Sequence, residues 1–291
     1  MDMHRRLQKV GGATYTVSLP KSWVERQGLG AGEELIVREE ERGVVIMPRA
    51  ASKTEKRLDG GSLILPREIM AAYLSGYGRI VIESKGRMAS SKKKEIKRSV
   101  SRVAGMEVLE ETSRKIILQD LLDHSELDVK KAIKQAYRIA ESMQRDAVAA
   151  LAENDKNLAE EVMERDGEVD RLYFLIIRQL KTALVDSSFG LSAAECMDLR
   201  LLIRLVEELA DHASLVAMRV GEIDKRVDVR RLSDEVLGFH EKAFSYFWTG
   251  DAKAAHGLGE RRRALFRKKE RMYGKVPAQV LDELDSITEC G

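Results

Sequence analysis

Apolar and polar positions change their rhythm three times along this chain. Up to about residue 50 they alternate in short runs, the period of half-buried strands. Arg5-Arg6-Leu-Gln-Lys9-Val and Thr14-Tyr-Thr-Val-Ser18 flank Gly11-Gly12 and predict two short strands around a glycine turn. Leu19-Pro20-Lys21-Ser22 opens a short helix through Gln27, with Pro20 where a missing N–H is tolerated. Gly28 to Gly32 closes it, and strands follow at Glu34–Arg38 and Gly43–Met47, with an acidic turn at Glu39 to Arg42 between them. A β-β-α-β-β unit this small cannot bury a core alone, so it is expected to interlock with a second copy.

The second rhythm runs from 51 to 122. Ala51 to Gly61 is polar and reads as a linker. A short helix is predicted over Pro66–Tyr73, a strand over Gly78–Glu83, and a basic helix over Ser90–Val103 capped by Ser90 or Ser91. Strands at Met106–Glu110 and Lys115–Gln119 complete a small α/β unit. Lys92-Lys-Lys94 with Lys97 and Arg98 reads as a solvated positive surface that could extend a nucleic-acid footprint.

From residue 123 the period becomes 3.6. A stripe of Val129, Ile133, Ala136, Ile139, Ala140, Met143, Ala147 and Leu151 predicts a helix from a cap at Ser125 or Asp128 to about Glu153. Asn154 to Asn157 breaks it. Helices at about 158–186 and 192–220 follow, and the short loops make the three antiparallel neighbours in one bundle. From Arg226 the pattern begins again, with helices at Val229–Trp248, Ala252–Tyr273 and Pro277–Ile287. Trp23, Trp248, Phe244, Phe247 and Tyr246 read as packing aromatics. The division is 1–50, 51–122, 123–225 and 226–291.

Composition narrows the class. The chain has 291 residues, 34% of them charged, a net charge of +2 and two cysteines. Cys196 and Cys290 are too few for a disulfide framework or a zinc knuckle, which suits a reduced, cytoplasmic protein. No run approaches the ~18 apolar residues of a membrane span, so an integral membrane protein is not expected. The near-neutral total hides a partition of +6 over residues 51–120 and −7 over 121–225. A basic front suits a polyanion and an acidic middle suits cations.

The acidic middle carries the candidate chemistry. Asp166-Gly-Glu-Val-Asp170 and Glu207-Glu-Leu-Ala-Asp211 each set two carboxylates four residues apart on an otherwise apolar helix, one turn apart on one face. Such charges repel, severely if turned inward. Four converging oxygen ligands, Asp166, Asp170, Glu207 and Asp211, would hold a divalent or trivalent cation. The same spacing also suits a solvated face, and spacing alone leaves the two readings even. Gly167 inside the helix costs about 1 kcal/mol against alanine, and a close backbone approach there would explain it. His212 points about 100° away from Asp211, as a surface or packing residue.

Two resemblances bear on this. Arg5…Gly11-Gly12…Thr16-Val-Ser18-Leu-Pro-Lys21…Gly28-Leu-Gly-Ala-Gly-Glu33…Val44-Val-Ile-Met-Pro48 resembles the AbrB/SpoVT swapped-hairpin domain, an intertwined dimeric β-barrel that binds DNA. That resemblance makes Arg5, Arg6, Lys9 and Lys21 the phosphate or base contacts, with Thr14 and Ser18 as neutral donors, and implies a homodimer through residues 1–50. Glu164-Arg-Asp166-Gly-Glu-Val-Asp170 and Asp198-Leu-Arg200…Glu207-Glu-Leu-Ala-Asp211-His-Ala213 resemble the PhoU phosphate-uptake regulators. These are tandem three-helix bundles whose acidic pairs bind metal, which implies Fe, Zn, Mn or Mg at Asp166, Asp170, Glu207 and Asp211. Glu260-Arg-Arg-Arg-Ala264 stands where the second repeat should carry its pair, so one intact site is expected. Glu208 stands where the family usually has arginine.

The fold class expected is α+β multidomain: a swapped-hairpin β-barrel head, a short α/β middle unit and a PhoU-like all-α body of three-helix bundles. The order resembles the archaeal fused phosphate regulators. It implies a transcriptional regulator of phosphate uptake that binds double-stranded DNA. The alternative is an adaptor that dimerises through its head and contacts a phosphate transporter or a sensor kinase without DNA. No His has a Glu three residues before it, and no Walker loop, Gly-x-Ser-x-Gly or His-Glu-x-x-His is present, so an enzyme is not expected.

Overall fold

The computed structural model describes residues 4–12, 14–40, 43–48, 55–122, 127–184, 186, 189–222 and 227–290. Ser125, Glu41, Arg42, Arg226 and the first part of the expected linker lie outside the described residues. The chain divides into two compact units, one within 1–51 and the other spanning 52–184 and 188–291.

In the first unit β1 (Gln8–Val10) pairs antiparallel with β2 (Thr14–Thr16), Val10 opposite Thr14, and Gly11 at φ 65° starts the turn between them. After α1 (Lys21–Arg26), β3 (Leu35–Glu40) pairs antiparallel with β4 (Gly43–Pro48), Leu35 opposite Pro48. The two hairpins are separate two-stranded sheets. None of the described residues between 4 and 48 is buried, and Val10, Tyr15, Val37 and Val44 lie exposed.

The second unit opens with a four-stranded sheet ordered β5-β6-β8-β7. Its strands are β5 (Glu55–Asp59), β6 (Arg79–Glu83), β7 (Met106–Glu111) and β8 (Lys115–Asp120). The polar stretch expected to be a linker therefore contains an edge strand, parallel to β6. Its sequence Glu-Lys-Arg-Leu-Asp hides it, because an edge strand tolerates charge on both sides. Helices α2 (Leu65–Leu74) and α3 (Ser90–Ser101) cover the sheet, burying Ile69, Tyr73, Ile80, Ile82, Ile96, Ile116 and Leu118. Neither Ser90 nor Ser91 caps α3. The N-cap is Ala89, without a side-chain hydrogen bond.

The helical layer begins with α4 (Val129–Glu153), α5 (Lys156–Ala183) and α6 (Ala193–Met218). Asp128 caps α4 by accepting from the Lys131 N–H, and Asn154 ends it in the left-handed region at φ 59°. Asp155 caps α5, and Ser192 with Glu195 forms a capping box on α6. Ile133, Ala136, Ala140, Met143 and Ala147 of the predicted stripe are fully buried, while Ile139 is only half-buried. A Cβ on Gly167 would meet nothing within 4 Å, so close approach does not explain that glycine.

The last part holds α7 (Arg230–Thr249), α8 (Ala252–His256), α9 (Leu258–Glu270) and α10 (Ala278–Glu289). The expected helix 252–273 breaks in two at Gly257. In the Arg267-Lys-Lys269 run of α9, Lys269 is buried and ion-paired with Asp285 of α10. Phe244 stacks on Tyr137 of α4 at 3.9 Å between centroids. Arg178 of α5 is buried with its Nη2 2.6 Å from Asp120 Oδ2, and its Nη1 donates to the carbonyls of Tyr73 and Tyr77. That bolts the α/β layer onto the bundle.

Candidate metal centre and nucleic-acid face

The acidic pairs occupy adjacent helices of one bundle, Asp166 and Asp170 on α5, Glu207 and Asp211 on α6. Asp170, Glu207 and Asp211 each offer a carboxylate oxygen, and the three atoms lie within 4.8 Å of one another. Asp166 is not one of that group of three. It sits one turn earlier on α5, half-buried, and its carboxyl is pushed up to about 6 by burial and then by the charges of Asp211 and Asp170. Glu207 is the most enclosed at 9% exposure. Its pKa rises to about 7, first from burial, then from Asp211, and Arg204 opposes the rise. Asp211 is raised as well, by burial and by Asp170.

Two guanidinium groups offset part of this repulsion. Arg204, three residues before Glu207, places Nη1 2.5 Å from Glu207 Oε2 and Nη2 2.7 Å from Glu208 Oε1. Arg102, the residue after α3, places Nη2 3.1 Å from Asp170 Oδ2. Arg204 was legible from its i, i+3 spacing to Glu207. Arg102 was not, because it enters from the α/β layer 68 residues away in sequence.

An all-oxygen donor set fits a hard cation, Mg²⁺, Mn²⁺ or ferric iron, better than a soft one. Among the described residues no histidine or cysteine joins the group. His212 turns elsewhere, its Nδ1 2.8 Å from Glu283 Oε2, which ties α6 to α10. Glu260 on α9 is exposed and pairs with Arg263 at 3.4 Å.

The candidate nucleic-acid contacts Arg5, Arg6, Lys9, Thr14, Ser18 and Lys21 are all exposed. Lys9 stands opposite Tyr15 and Thr14 opposite Val10, so strand alternation sends Lys9 and Thr14 to opposite faces of the hairpin. Lys21 lies 3.7 Å from Glu25. The positive surface of α3 is largely neutralised within the α/β unit: Lys92 pairs with Glu95 at 3.0 Å, and Lys93 and Lys97 both pair with Glu111, at 3.0 and 2.9 Å.

A helical bundle that holds a part-buried carboxylate cluster, on one chain with a small β-rich unit, is the class this geometry defines. Comparison with known proteins agrees. Residues 133–220 match the PhoU domain, and residues 8–54 match the family described as antidote-toxin recognition MazE, bacterial antitoxin. The crystal structure of PhoU from Pseudomonas aeruginosa is similar at 22% identity with a TM-score of 0.45, over 56% of this chain and 90% of that one. No curated protein matches the chain. Among the described residues no helix is long and apolar enough to cross a membrane.

Proposed function

We propose that this protein is a DNA-binding regulator of phosphate uptake, with a metal-responsive helical body. What carries the reading is the occurrence of a MazE-type segment and a PhoU-type segment on one chain. PhoU-type and MazE-type domains are regulatory rather than enzymatic, so the proposal assigns no catalysis. It follows the fourfold division at residues 50, 122 and 225 and a cytoplasmic location. Residues 1–50 form the homodimer and present Arg5, Arg6, Lys9, Ser18 and Lys21 to duplex DNA, with Thr14 left out because it faces the other side of the hairpin from Lys9. In the body Asp170, Glu207 and Asp211 hold the cation, and Asp166 completes the set.

The exposed apolar residues of the head favour dimerisation, since a second copy would cover them. The clustered carboxylates favour the metal. Three acidic groups gathered inside a bundle repel one another, and a cation turns that cost into attraction. Arg102 and Arg204 offset part of the charge and leave the raised pKa values above as the residue of it.

Binding to duplex DNA from the promoters of phosphate-uptake genes tests the first half. The logarithm of the binding constant should fall linearly with log salt as counterions are released. No binding at low salt, with capture of a phosphate transporter or sensor kinase, would establish the adaptor reading instead. Elemental analysis of protein purified without added metal, beside an Asp170→Ala/Asp211→Ala variant, tests the second half. Equal metal in both would reduce the carboxylates to a charged surface.

A further inference from the structure

The seam where α7 and the end of α10 meet α4 and α6 forms a half-open cavity of about 150 Å³. Its walls are apolar: Leu202, Leu205, Val206 and Leu209 of α6, with Ala243, Phe244 and Phe247 of α7. An apolar cavity of roughly this size accepts one benzene-sized ring. Two polar side chains also line it, and both are more than nine-tenths buried, Tyr137 at 7% exposure and His240 at 4%.

Each of these brings a polar atom with no hydrogen-bond partner, the Tyr137 hydroxyl and His240 Nε2. Buried polar atoms are nearly always paired, because an unpaired one forfeits its bond to water. Burial and the nearby Ile287 backbone act on the His240 ring in opposite senses, and burial dominates. In the neutral ring with Nδ1 protonated, Nε2 is the unprotonated nitrogen. Nε2 then carries a lone pair and accepts, while the Tyr137 hydroxyl can donate. Burial holds the ring neutral, with its pKa down to about 4.

We propose that this cavity is a binding site for a small aromatic alcohol, a single ring seated among Leu202, Leu209 and Phe244 with its hydroxyl serving His240 and Tyr137. One hydroxyl both donates and accepts, so it suits Nε2 as acceptor and the tyrosine as donor. A plain hydrocarbon of the same size fills the space and leaves both polar atoms unpaired. The site is independent of the metal and DNA readings above.

Calorimetric titration of the full chain with phenol and with toluene tests it. Phenol should bind about tenfold more tightly than toluene, the worth of one buried hydrogen bond. Tyr137→Phe deletes only an unpartnered hydroxyl and should leave the melting temperature equal or higher, while the phenol-to-toluene ratio falls at least about threefold. Ala243→Leu narrows the cavity and should abolish both. The proposal is overturned if phenol does not bind, if toluene binds equally well, or if folded Tyr137→Phe keeps the full ratio. Should Tyr137→Phe fail to fold, Ala243→Leu decides, and phenol binding that survives it overturns the site.

Discussion

Between residues 4 and 48 none of the described side chains is buried, whereas α4, α5 and α6 close around a continuous apolar core. Both regions have apolar residues at the correct period for their elements. In the head the strands are three to six residues long and the hairpins remain two separate sheets, too little surface to shield anything. In the body, helices of 25 to 28 residues present long stripes that meet one another. Pattern becomes a core only where enough chain is available to cover it. On the reading proposed here, the head's missing cover is its twin.

That contrast breaks most sharply at the head's exposed valines. Val37 is 65% exposed within one chain, where aspartate would cost almost nothing. If Val37 lies in a dimer core, Val37→Asp should convert dimers to monomers in sedimentation and abolish DNA binding. An unchanged mass would end the dimer reading. Next in size is the body's own bolt. Arg178→Ala leaves the buried Asp120 carboxylate without its cation, at about 3–5 kcal/mol, read from urea denaturation of the full chain.

A smaller effect comes from the acidic group. Glu207 has its folded pKa raised from 4.5 to about 7, so the stability it contributes is present below pH 4.5 and lost as pH rises to about 7. Asp166, raised to about 6, acts in the same sense. Metal-free protein should therefore melt at a higher temperature near pH 6 than near pH 8, and Glu207→Gln should flatten that difference. Added Mn²⁺ should reverse it if the cation binds there. The smallest effect sharpens the body alone. Gly167→Ala should stabilise α5 by about 1 kcal/mol, since the new methyl meets no neighbour.

Element types were readable wherever burial follows a local period. The α4 stripe, its Asp128 cap and the Asn154 break all follow from neighbours within a few residues. The edge strand β5 was not, because only Leu58 among its five residues is apolar. Gly257 was also passed over, since one glycine in a helical pattern is usually tolerated and here the chain breaks instead. Of the candidate ligands, each pair was legible because helix geometry stacks i and i+4. That Asp170 rather than Asp166 joins Glu207 and Asp211 was not.

By itself, then, the order of residues determined the head's strands, the long helices, the Asp128 cap of α4 and two carboxylates per helix face. All of these depend on steric and hydrogen-bonding rules that act within about one turn or one hairpin. Tertiary structure alone decided which carboxylates meet, that Arg102 reaches them, that Arg178 finds Asp120, and that Tyr137 and His240 share a cavity. Those partners are brought together by the rotation and seating of whole helices. Packing of the complete core sets that arrangement, and no local rule encodes it.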